Sequence, residues 1–128
     1  MRIGALAERT GVSVATIRYY EEIGLLRRAA RSGGQRVYDH EAAHRLAFIR
    51  RCRDFDFSIP DIRSLLSLMQ GNGSCREARE LAEGHLVELR RKLAELQALE
   101  RSIASLVTSC AATCDGGAAA DCVILQAG

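Results

Sequence analysis

A chain of 128 residues, 48% hydrophobic and 27% charged, has the composition of a folded protein, with room for one modest domain and an extended element. The net charge of +2 is unevenly spread: residues 1–63 carry twelve Arg against eight Asp and Glu, whereas residues 64–128 carry six Lys and Arg against eight acids, a basic front suited to nucleic acid. No run approaches the ~18 apolar residues of a membrane span, and the N-terminus lacks the apolar core of a signal peptide, so a cytoplasmic protein with no membrane partner is expected.

Residues 3–10, IGALAERT, place Ile3, Leu6 and Ala7 on one helical face, and Gly11 ends the helix. Ser13 is a good N-cap for a second helix running to about Ile23, where Gly24 stops it. Two short helices joined through a Gly turn form a helix-turn-helix candidate, whose second helix enters the major groove. Its outward residues include Ala15, Thr16, Arg18 and Tyr19. Arg18 can reach a phosphate or a guanine edge, and Tyr19 can donate to phosphate. An ordinary helical hairpin is the alternative.

In LLRRAARSGGQRVYDH, Arg27, Arg28, Arg31 and Arg36 surround the Gly33-Gly34 turn, and Val37-Tyr38 reads as a short strand. This is the pattern of a basic β-hairpin wing lying along a DNA backbone. A third helix is expected from about His40 to Asp54, with Arg50, Arg51 and Arg53 giving it a basic face near its end. Ser58, Pro60 and Asp61 then make a helix start, and that fourth helix stops at Gly71-Asn72-Gly73. His40-Glu41-Ala42-Ala43-His44 matches the H-E-x-x-H pattern of zinc peptidases literally. That chemistry needs a helix buried beneath a cleft and a third ligand, whereas this pattern opens a short helix in an Arg-rich region of a small chain, so a catalytic role is not expected.

From Cys75 to Cys110 runs one long amphipathic stretch without Pro. Leu86, Leu89, Leu93, Leu96, Ile103 and Val107 recur at three- and four-residue steps, interrupted only at Glu100, which is the narrow seam of a coiled coil and predicts an obligate homodimer. At ~1.5 Å per residue, Cys75 and Cys110 lie roughly 50 Å apart along such a helix. They cannot share a site within one subunit, but in an antiparallel two-fold dimer the start of one helix meets the end of the other. Cys75 of one subunit then joins Cys110, Cys114 and Cys122 of its partner.

Cys110 and Cys114 are four apart and share a helical face if the helix extends that far. Asp115-Gly116-Gly117 makes a loop, and Asp121–Leu125 returns as a short apolar segment in which Cys122 closes over the other two. Five cysteines in a reducing compartment favour metal or redox chemistry over structural disulfides. Several thiolates at a helix start, a helix end and a flexible loop suit a soft ion: Zn(II), Cd(II), Pb(II), Hg(II) or Cu(I). Packing as small hydrophobes suits Cys52, on the apolar side of the third helix, better than the three tail cysteines.

The segments IGALAERTGVSVATIRYYEEIGLL, GGQRVY and RLAFIRRCRDFDFSI, followed by the long helix with its terminal cysteine loop, resemble the MerR family of metalloregulators along nearly the full chain. The resemblance implies a mainly α fold: a winged helix-turn-helix N-terminal domain (residues 1–70), a linker and long antiparallel coiled-coil dimerisation helix (71–109), and a C-terminal metal-binding loop and terminal segment (110–128). It maps Arg18, Tyr19, Arg36, Tyr38 and Arg53 onto DNA-contacting positions. Cys75 falls where divalent-ion sensors carry Cys and copper sensors carry Ser, which argues against Cu(I). Cys110 matches the first loop ligand, and Cys122, followed by Val-Ile-Leu, matches the last. The loop between them is longer than in the familiar members, holds the additional Cys114 and lacks His, which favours Hg, Cd or Pb, with Zn in an all-thiolate site as the remaining choice.

The function expected is a transcription regulator, not an enzyme. It binds double-stranded operator DNA as a homodimer, senses a soft divalent ion through Cys75, Cys110, Cys114 and Cys122, and acts on RNA polymerase at the promoter by distorting an overlong spacer. The alternative is a redox sensor of the same fold, using a disulfide among the tail cysteines or an iron–sulfur cluster.

Overall fold

In the computed structural model, residues 1–126 are described. They fall into two compact units, Met1–Leu81 and a second beginning at Ala82. The first holds helices α1 (Ile3–Thr10) and α2 (Val14–Glu22), strands β1 (Ala30–Ser32) and β2 (Gln35–Val37), then helices α3 (His40–Asp54) and α4 (Ile59–Met69). Helix α5 (Cys75–Thr113) begins in this unit and supplies most of the second.

Local chemistry sets these bounds. Gly11 ends α1 in the left-handed conformation at φ +72°, and its N–H donates to the Ala7 carbonyl at 2.8 Å. Ser13 Oγ accepts from the Thr16 N–H at 3.2 Å, Asp39 Oδ1 from the Ala42 N–H at 2.8 Å, and Ser58 Oγ from the Asp61 N–H at 3.3 Å, so α2, α3 and α4 each start on a side-chain cap. Strands β1 and β2 pair antiparallel, Ser32 opposite Gln35, around Gly33-Gly34. Both glycines have positive φ (61° and 80°), as a two-residue hairpin loop requires. The second strand stops at Val37, one residue earlier than the pattern Val37-Tyr38 implies; beyond the ladder the Tyr38 N–H donates to the Met1 carbonyl at 2.6 Å.

Leu6, Ile17, Leu25, Leu26, Leu46, Ile49, Ile62 and Leu66 form the fully buried centre of the first unit. Three arginines tie its later helices to the helix-turn-helix. Arg50 Nη1 donates to the Thr10 carbonyl (2.7 Å), Arg63 Nη2 to Ile23 (2.9 Å) and Arg45 Nε to Leu25 (2.8 Å), each meeting a carbonyl at or just beyond the end of α1 or α2. A Cβ at Gly11 would stand 1.9 Å from Arg50 Nη1. Gly11→Ala therefore combines left-handed backbone strain with the loss of one of these ties. The expected destabilisation is about 1–2 kcal/mol, lowering the midpoint of thermal unfolding by roughly 4–8 °C per kcal/mol. A shift below about one degree in a calorimetric scan would show that neither effect operates.

Helix α5 has no buried residue. Leu93, Leu96, Leu99, Ile103 and Val107 are all more than half exposed. An uncovered apolar row of this length is the property of a surface that meets another one. No helix among the described residues is long and apolar enough to cross a membrane.

Candidate metal centre and nucleic-acid interface

The basic face of the first unit is built on α2 and the hairpin. Capping by Ser13 fixes the phase of α2, so that Ile17 and Tyr20 turn inward while Ala15, Arg18 and Tyr19 face out. Thr16 is half-buried, and its hydroxyl is bonded to Ser13 Oγ at 2.8 Å. Between α2 and the hairpin lies an open groove lined by Arg2, Arg18, Arg28, Gln35 and Arg36, with Glu21 and Glu22 on the helix side. Four guanidiniums around one groove make a surface for an anionic backbone.

Tyr38 is buried, and its hydroxyl donates to Glu21 Oε1 at 2.5 Å. Burial first, and that hydrogen bond second, push the phenol up to about 12, so it remains a donor. Arg36 Nη1 lies 3.6 Å from the same carboxylate oxygen. Arg53 is exposed, but Nη1 of its guanidinium donates to the Phe57 carbonyl at 2.7 Å. Arg51 stacks over the Phe55 ring, 5.4 Å from its centroid. The basic face expected at the end of α3 is thus partly spent on internal contacts, Arg50 on the end of α1 included. Two residues of the groove escape a reading by motif. Arg2 precedes the first helix, and Glu21 is an acid on a helix read for its basic side.

The thiols of the second unit converge because α5 continues past Cys110. The Cys114 N–H donates to the Cys110 carbonyl at 3.0 Å, so the two cysteines stand one turn apart. Gly116, at φ +77°, reverses the chain, the Gly117 N–H donates to the Cys114 carbonyl at 2.9 Å, and a short 3₁₀ turn at Ala119–Asp121 delivers Cys122. Cys122 Sγ lies 3.5 Å from Cys110 Sγ, and the three sulfurs of Cys110, Cys114 and Cys122 all lie within 4.8 Å of one another. Thiolates sharing an ion at ~2.3 Å in tetrahedral geometry stand roughly 3.8 Å apart, so little movement separates this arrangement from a closed site. Cys110 is pushed up to about 11 by hydrogen bonding with Cys122 and Cys114, while the Val123 backbone N–H holds Cys114 below the usual thiol range. Hydrogen bonding thus shifts the two thiols in opposite directions, Cys110 up and Cys114 down.

Cys75 is the exposed first residue of α5 and is not one of these three; Cys52 is buried in α3. The three tail cysteines are the group of metal-capable side chains found among the described residues, and His40, Glu41 and His44 join no such group. His40 Nδ1 instead lies 3.0 Å from Arg9 Nη1.

The family model described as MerR HTH family regulatory protein matches residues 1–69, and a second, MerR, DNA binding, matches residues 43–106. The chain belongs to the MerR family. Members are transcription regulators that bind promoter DNA and not enzymes, which disposes of the peptidase pattern at His40–His44. The chain is 38% identical to the HTH-type transcriptional regulator HmrR of Rhizobium leguminosarum bv. viciae over 98% of its own length and 95% of that protein's. It is 36% identical to ZntR of Escherichia coli strain K12, over 98% and 90%. The crystal structure of the transcription regulator PbrR691 from Ralstonia metallidurans CH34, in complex with lead(II), is similar at a TM-score of 0.83 and 41% identity, covering 98% of this chain and 96% of that one. With its thiol triad, the chain stands in the metal-responsive branch of the MerR family.

Proposed function

We propose that this MerR-family regulator is a homodimer that switches transcription when a soft divalent ion binds thiolates drawn from both subunits. The observation that carries the reading is the convergence of Cys110, Cys114 and Cys122 within 4.8 Å. A set of sulfur ligands without nitrogen or oxygen suits Hg(II), Cd(II), Pb(II) or Zn(II). The likeness to ZntR, and to a regulator crystallised with lead(II), supports Zn and Pb in particular. The uncovered apolar row of α5 supports pairing with a second copy. In an antiparallel pair, Cys75 of the partner subunit completes the site as a further ligand.

On this reading, residues 1–70 form the DNA-reading domain, 71–109 the linker and dimerisation helix, and 110–128 the sensing segment, whose last two residues lie outside the described ones. Arg18, Tyr19 and Thr16 on α2, Arg36 on the wing and Arg53 near the end of α3 contact the operator. Tyr38, being buried, serves that contact by holding the wing rather than by offering its hydroxyl. The protein works in the cytoplasm, where its thiols stay reduced. Ion binding favours one of two relative settings of the DNA-reading heads, and its energy is the ion's different affinity for those settings. Distorted promoter DNA is then presented to RNA polymerase.

The test is titration of the reduced protein with Hg(II), Cd(II), Pb(II) and Zn(II) in turn, following thiolate-to-metal absorption (for Zn, competition against a chromophoric chelator). One ion per three-thiol set is expected. Because Cys110 keeps its proton at neutral pH, binding releases it, and apparent affinity falls as pH falls, by about tenfold per unit for each proton displaced. Absence of binding by all four ions, or binding indifferent to pH between 6 and 8, would overturn the reading. An oxygen-sensitive visible chromophore in the purified protein would favour the iron–sulfur alternative.

A further inference from the structure

We propose that Glu21 is a positioning residue for operator recognition: its buried carboxylate fastens both ends of the hairpin wing to α2 and aims Arg36 at the DNA backbone. The proposal rests on the reading of Arg36 as a DNA contact. A carboxylate on the DNA-facing side of a regulator is unfavourable twice over. Burial removes its hydration, and its charge opposes that of the approaching phosphates. The Glu21 side chain is nonetheless only 3% exposed.

Its partners show what the charge holds. Tyr38, immediately after β2, donates its hydroxyl to Oε1 at 2.5 Å. Ala29, immediately before β1, donates its backbone N–H to Oε2 at 3.4 Å. Arg36, within β2, brings Nη1 to 3.6 Å from Oε1. One carboxylate on the recognition helix therefore meets the residues flanking both strands and the guanidinium between them. Two strands of three residues, exposed almost throughout, have little packing of their own to orient them. Tethering by a charged acceptor supplies that orientation. The Arg36 side chain remains 38% exposed, and a contact through Nη1 leaves other N–H donors of its fork for a phosphate.

The two possible roles of Glu21 differ in sign. If its charge is a bystander, Glu21→Gln removes a repulsion and operator affinity stays level or rises. If it positions Arg36, the near-isosteric amide keeps an acceptor for Tyr38 but releases the guanidinium, and affinity falls.

The experiment measures operator binding by the full-length protein over a range of salt, for Glu21→Gln, Tyr38→Phe, Arg36→Ala and the double variant Glu21→Gln/Arg36→Ala, with thermal unfolding of each recorded alongside. Expected are a loss of about five- to tenfold for Glu21→Gln and a smaller loss for Tyr38→Phe, whose ring still fills the core. The log–log salt slope of Glu21→Gln should shift toward that of Arg36→Ala, which itself drops by about one. The double variant should bind within about twofold of Arg36→Ala alone. Unchanged or higher affinity for Glu21→Gln, a lowered unfolding midpoint with an unmoved salt slope, or losses that multiply in the double variant would overturn the proposal. If Arg36→Ala alters neither affinity nor slope, the assignment of Arg36 to DNA fails, and the positioning role falls with it.

Discussion

Cys75→Ser is expected to abolish metal-induced transcription while leaving operator affinity within about twofold of the parent. Cys75 is the exposed first residue of α5, and serine is close to it in volume and acceptable at a helix start, so folding of the DNA-reading unit should be untouched. On the proposed reading, the substitution removes one sulfur ligand and with it the link between subunits. Ion affinity should fall by about 100-fold or more, since even outer partners of metal ligands typically carry 10–100-fold. Cys110→Ser should silence induction as well, for the different reason that it dismantles the triad at Cys114 and Cys122. The decisive measurement is co-expression of the two variants. In a mixed dimer, the intact triad of the Cys75→Ser subunit meets Cys75 of the partner subunit, so one complete site is restored and partial induction returns. A site confined to the triad of a single subunit would leave Cys75→Ser inducible on its own, and that result would sink the shared site.

Arg18→Ala should weaken operator binding by roughly 10- to 100-fold, the range for a guanidinium that reads a base edge or clamps a phosphate at the centre of an interface. Arg18 projects from α2 into the groove shared with Arg2, Arg28 and Arg36, and its exposure means that stability should change by no more than about 0.5 kcal/mol. The salt slope and the response to altered operator bases divide the two roles. A phosphate contact lowers the slope by about one and weakens all sequences alike, whereas a base contact relaxes specificity at one position. Affinity unchanged at matched salt would remove α2 from the groove.

Much of the fold is legible in the sequence because its punctuation is local. Gly11, Ser13 and Ser58 mark helix ends through bonds spanning three or four residues, and the step pattern from Leu86 to Val107 announces a helix without reference to the rest of the chain. What escapes such a reading is contact between distant residues. Arg50 looks like part of a basic surface until its guanidinium is seen on the Thr10 carbonyl, forty residues back. Glu21 looks like a solvated acid beside Glu22, and only the return of the wing, seventeen residues later at Tyr38, reveals the hub. The cysteine cluster falls between these cases. The spacing of Cys110 and Cys114 is a helical one, but the arrival of Cys122 depends on the reversal at Gly116 and the 3₁₀ turn at Ala119–Asp121, which composition alone does not dictate.

The fifth cysteine has a consequence for a regulator that senses heavy metals through cysteines. Cys52 is 3% exposed among the side chains of the first unit's core, and burial raises its pKa, so the thiol is neither a ready nucleophile nor an available ligand. A metal ion would have to pry apart the packed interior to reach it. Residues 1–70 thus offer no accessible thiol to compete with the three tail cysteines for an ion, and a metal that reaches the protein meets a thiol only outside the packed head.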